Sequence, residues 1–94
     1  MKDRFLLAGG SPDMTALSEW AEEYYQSLMR MTDGFFAQAD IKDVMESMRN
    51  MPFEHLVAKE LAGEEESIVG IAVALVREIA EREIKYIQAY LQYL

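Results

Sequence analysis

Glu83 is the residue whose setting most suggests chemistry. On a helical wheel it falls among Ile79, Ala80, Tyr86 and Ile87, inside an otherwise apolar sector. A lone carboxylate in such surroundings is costly unless it is paired or protonated. It can act there as a general acid or base of shifted proton affinity, or as a metal ligand. It can equally be a structural charge, paired with Arg30, Arg49 or a tyrosine hydroxyl, or crossing a subunit contact. His55 is the only histidine; it follows Pro52-Phe53-Glu54, with Arg49 six residues before it. If the chain is an enzyme, it uses Glu83 as acid or base on a small molecule held between helices, assisted by Arg30, Arg49 or His55. Glu83, His55 and Arg49 are therefore the catalytic candidates.

Other chemistries lack their residues. There is no cysteine, which removes disulfides, thiolate zinc sites, iron–sulfur ligation and cysteine nucleophiles. No His-Glu-x-x-His occurs, and the residue three before His55 is Pro52, so the Glu-x-x-His element of a di-iron bundle is missing too. The many acids, among them Glu19, Glu22, Glu23, Glu78 and Glu81, read as solvated helix surface. Gly9-Gly10 lacks the further glycines and the lysine of a phosphate loop. Neither a metal nor a cofactor is expected.

Charge narrows the partners. Seventeen Asp and Glu against nine Lys and Arg give a net charge of −8, which disfavours phosphate backbones and anionic lipid. Direct binding to duplex nucleic acid is not expected. An acidic mimic that blocks a nucleic-acid-binding partner is an alternative. The longest apolar run, Ile68 to Val76, has nine residues, short of the roughly 20 that cross a membrane. The apolar stretch Phe5-Leu6-Leu7-Ala8 is too short for a secretory signal, so residues 1–10 are expected to be a flexible or docking arm. The lack of cysteine fits a cytoplasmic protein.

A broader signal comes from aromatic residues. Trp20, Tyr24 and Tyr25 gather in the first helical segment and Tyr86, Tyr90 and Tyr93 in the last. Such side chains bury apolar area while keeping a polar handle, which suits interface cores. With Glu83 they form the expected interface set.

The elements that must position these residues are all helical. The pattern predicts a small bundle with two long helices, about 12–32 and 64–93, and two short ones between them, about 41–49 and 52–62. Residues 11–94 form a single domain. Ser11-Pro12 is the expected start of the first helix, and Met14, Leu17, Ala21, Tyr24, Leu28, Met31 and Phe35 mark its stripe. Gly34 is its expected terminator, with an extension through Gln38 as the alternative. Asp40 caps the second helix. Asn50-Met51-Pro52 ends it, because a residue before proline avoids helical angles. Gly63 closes the third.

The last helix opens on Glu64, Glu65 and Glu66, whose charge agrees with the helix dipole. Its apolar residues cover roughly 200° of the wheel, about twice the minimum for a surface helix. Such a face needs two neighbours, or one neighbour and a second subunit. We expect the two long helices to pack antiparallel and the chain to form a homodimer. The leading functional reading is a small acidic interaction or regulatory protein that acts through this dimeric helical surface, without catalysis.

Overall fold

The structure, a computed structural model, describes residues 4–31 and 40–93 and, for Met31 and Ile41, the backbone alone. Gly34, Phe35 and the extension toward Gln38 lie outside the described residues, as do the first three residues of the arm and Leu94. Four helices follow in chain order: α1 (Met14–Met31), α2 (Ile41–Asn50), α3 (Phe53–Glu60) and α4 (Glu66–Gln92). The described residues hold no strand beyond a single bridge between Leu6 and Pro12. The all-helical bundle of two long and two short helices is thus as the pattern predicts, and α4 is one unbroken rod.

The start of α1 differs from expectation. Ser11 and Pro12 do not open the helix. They are used in a turn: the Leu7 amide donates to the Ser11 carbonyl at 2.7 Å and the Asp13 amide to the Phe5 carbonyl at 2.7 Å. Gly10 takes φ +85° to make this fold-back, a conformation that only glycine adopts without strain. Asp13 then caps α1, its Oδ1 accepting from the Ala16 amide at 3.1 Å. An aspartate is as good a cap as a serine and also faces the positive helix end. The fold-back seats Phe5, only 1 % exposed, edge-on to Trp20 with ring centroids 6.3 Å apart.

The other boundaries follow the expected chemistry. The Asp40 side chain accepts from the Lys42 amide at 3.2 Å. Met51, before Pro52, is extended at φ −64° and ψ 129° and separates α2 from α3. Past α3 the chain reverses at Gly63, which takes φ +97°. Glu65 precedes α4 and Glu66 occupies its first turn, two residues later than Glu64.

The helix directions overturn the antiparallel expectation. Ser18 and Ala21 of α1 lie beside Leu75 and Ile79 of α4, Glu22 pairs with Arg82, and Met29 shares a cavity with Ile87. Numbers rise together along both helices, so α1 and α4 run parallel. The reason is that α2 and α3 form one descending leg broken at Pro52: Val44 lies level with Ile87 and Phe53 level with Arg77. Three legs place the first and third in the same direction.

The core runs along α4. Ile68, Ala72, Val76, Ile79, Ala80 and Ile84 are buried, in one cluster with Leu17, Trp20, Ala21 and Tyr25 of α1, Met45 and Met48 of α2, and Phe53 and Val57 of α3. Each of the Val, Leu, Ile, Phe and Met side chains among them contributes about 1.5–3 kcal/mol when it leaves water. Their combined effect makes α4 the rod on which the other elements are placed.

Candidate functional site

Two features remain once the core is accounted for: a groove beside Glu83 and a stripe of tyrosines. The groove lies where α1, α2 and α4 meet. It is open, measures about 290 Å³, and is lined by Tyr25, Gln26, Met29, Val44, Met48, Glu83 and Ile87. Each side chain is there through its helix register. Tyr25 is four residues after Ala21, which is buried, and so continues the inward face of α1. Val44 and Met48 share the inward face of α2, and Glu83 and Ile87 that of α4.

Tyr25 is 3 % exposed, and its hydroxyl has no hydrogen-bond partner among the described residues. Burial pushes its pKa up to about 12; the Glu83 charge adds to the shift and Arg82 opposes it. Glu83 itself is half-buried. Among the described residues the ion pairs are Arg77–Glu54 and Arg82–Glu22, both at 3.0 Å, and neither engages Glu83. The hydrogen bond that Arg82 donates to the Glu22 carboxylate raises the Arg82 pKa and holds that guanidinium toward α1.

Tyr24 points elsewhere. It stacks on Trp20 at 4.9 Å with the rings 10° from parallel, and its pKa is raised by burial and then by Glu60. The adjacent tyrosines therefore separate, one into the groove and one onto the arm side. The sequence stripe passed through Tyr24 as readily as through Tyr25. The signal that separates them is the four-residue step from Leu17 to Ala21 to Tyr25.

The three catalytic candidates do not converge. Arg49 lines a different, smaller cavity of about 100 Å³ with Phe53, Arg77 and Glu81. His55 is exposed on α3, and Arg30 donates from Nε to the Gln26 carbonyl. A third cavity, about 370 Å³, lies between α1 and α4 and is bridged by the Glu22–Arg82 pair. No cluster of three metal-ligating side chains occurs among the described residues, and no helix there is long and apolar enough to cross a membrane.

The expected interface residues divide. Trp20 and Tyr25 are buried within their own chain and Tyr24 is partly buried, whereas Tyr86, Tyr90 and Tyr93 are 64, 56 and 90 % exposed. The last three follow at steps of four and three, so they form one ridge on the final turns of α4. Comparison with protein-family models, curated proteins and solved structures finds no match to this chain.

Proposed function

We propose that this chain is a small helical interaction protein that works as a homodimer, with the Tyr86, Tyr90 and Tyr93 ridge as its contact surface. The observation that carries the reading is the exposure of three tyrosines on one ridge of a helix whose other half is core. Tyrosines are preferred where a surface must be wet when free and buried when bound.

Charge supports a second copy as the occupant. All seventeen acidic side chains precede residue 84, and Lys85 is the single charged side chain among residues 84–94. The end of α4 is thus the part of a strongly acidic chain where two copies meet without mutual repulsion. A two-fold contact there directs the acidic bodies away from each other. At about 200 Å² per tyrosine, weighted by their exposure, the ridge offers roughly 400 Å² per copy, about half of what a stable interface uses on each side. The dimer is therefore concentration-dependent and recruits the surface beside the ridge at Ala89. The absence of cysteine fits a place in the cytoplasm.

The test is solution mass by light scattering across a concentration series. The parent rises from 10.8 kDa to twice that value, and Tyr90→Asp with Tyr93→Asp remains at the monomer mass throughout. A parent that stays monomeric into the millimolar range overturns the proposal.

A further inference from the structure

We propose that, in the homodimer inferred above, the α4 helices of the two copies run antiparallel and Tyr93 of each enters the cavity between α1 and α4 of the other. This pairing rests on the homodimer reading and adds to it an orientation and a socket.

The cavity and the tyrosine ridge lie on one strip of α4. Leu75, Ile79, Arg82, Tyr86, Ala89 and Tyr93 follow at steps of four, three, four, three and four. At 3.6 residues per turn they fall within an arc of about 80°, and their spacing is that of a helix-pairing seam. Leu75, Ile79 and Arg82 border the open cavity of about 370 Å³, with Ser18 and Glu22 of α1 on its facing wall. Tyr86 and Tyr93 stand exposed above it.

A two-fold contact is self-complementary, so whatever one copy inserts the other receives at the matching place. A parallel pair sets ridge against ridge, leaves both cavities open and brings the acidic bodies side by side. An antiparallel pair lays the ridge of each copy over the cavity of the other, and the bodies point apart. The contact strip then grows from about 10 Å along residues 86–93 to about 27 Å along residues 75–93. That makes good the shortfall between the ridge alone and a stable interface.

The lining fits a phenol. Leu75 is partly buried and gives the ring an apolar wall. Arg82 is held by two hydrogen bonds to Glu22, of 3.0 and 3.3 Å, so its guanidinium plane is already fixed for a ring to stack on. The Glu22 and Glu78 carboxylates can accept from the phenol hydroxyl. Tyr86 to Tyr93 contain no acid and so meet these carboxylates without repulsion. Glu78 and Lys85, seven residues apart, share one flank of the seam. An antiparallel pair brings like flanks together, which sets Lys85 of each copy on the same side as Glu78 of the other.

The absence of cysteine makes disulfide trapping a clean test. Ser18→Cys and Tyr93→Cys, both at exposed positions, are mixed in equal amounts in a glutathione redox buffer, and the linked species are separated by mass. A disulfide needs Cα atoms within roughly 7 Å, so the 18–93 species is expected to exceed the 93–93 species at least about fivefold, against about twofold for random collision. Light scattering on the parent is read alongside. A parent that dimerises while 93–93 linkage dominates, or while linkage follows random collision, overturns the antiparallel pairing and leaves the dimer standing. A parent that stays monomeric overturns both. Arg82→Ala is expected to weaken dimerisation about threefold to tenfold through loss of the stacking partner; dimerisation equal to the parent's in this variant overturns the socket.

Discussion

From Ile68 to Ile84 the inward positions of α4 are sealed by side chains from three other helices, whereas from Tyr86 to Tyr93 the same helix presents aromatic rings to water. The change does not come from a new pattern. Ala72, Val76, Ile79, Glu83, Tyr86, Tyr90 and Tyr93 follow one another at alternating steps of four and three, the spacing of a coiled-coil seam. Tyr86 and Tyr90 lie eighteen residues, five full turns, beyond Ile68 and Ala72 and so share their angular positions, yet the first pair is exposed and the second buried. What changes along the rod is therefore the cover that other elements give this face, not the direction in which it points. The buried face continues instead through Ala80 and Ile84 toward the partly buried Ile87 and Leu91. One helix thus serves two purposes, with the same face covered in its first part and open in its last turns.

The comparison is broken or upheld by placing the same charge in each half. Val76 is fully buried, and Val76→Asp puts an unpaired carboxylate among apolar side chains. The expected loss is about 4 kcal/mol or more, a large part of the roughly 5–14 kcal/mol available to a domain of this size. The helical circular-dichroism signal should melt at least about 15 °C lower or be lost. Tyr90→Asp, measured at a concentration where the parent is monomeric, is expected to stay within about 0.5 kcal/mol of it. Equal losses at the two positions would mean that the tyrosine end is core as well. Phe5→Ala comes next in size. Its ring is buried against Trp20, so the variant is expected to lose about 3 kcal/mol in urea unfolding. A loss under about 0.5 kcal/mol would show that the arm does not hold its place in solution.

Much of this arrangement was legible beforehand. The helix boundaries were written in Asp40, Pro52 and Gly63, each of which acts through one backbone constraint. The direction of packing was not. Nothing local tells whether α2 and α3 are two separate legs or one leg broken by Pro52, and that choice decides whether α1 and α4 run parallel. No periodic signal marks the place of Phe5, because it is gained through a turn made by Gly10 and Ser11. Glu83 was picked out by its position among apolar residues. Its groove was not, since Tyr25 and Met48 reach it from helices whose orientation the sequence does not fix. The interface set mixed two kinds of aromatic residue: Trp20 and Tyr25, which complete the chain's own core, and the ridge on α4, which does not.

A smaller effect sharpens the contrast between buried and exposed tyrosines. In the unfolded chain the Tyr25 phenol releases its proton near its ordinary value of 10.0, and in the folded chain near about 12. Between these values the unfolded state binds fewer protons than the native state, so stability falls as pH rises. The contribution of the neutral, buried phenol is complete below about pH 10 and is lost as the pH climbs through about 12. The loss is on the order of 2 kcal/mol. Tyr25→Phe has no proton to lose and no orphaned hydroxyl, so its stability relative to the parent is expected to improve over that interval. The readout is the urea midpoint of both proteins at intervals from about pH 9 to about 12, with Tyr90→Phe as the control from the exposed half. The other titrating groups are common to parent and variant and cancel in the difference. Parallel curves for Tyr25→Phe and Tyr90→Phe would mean that the Tyr25 hydroxyl reaches water in solution and that the groove is wetter than its geometry implies.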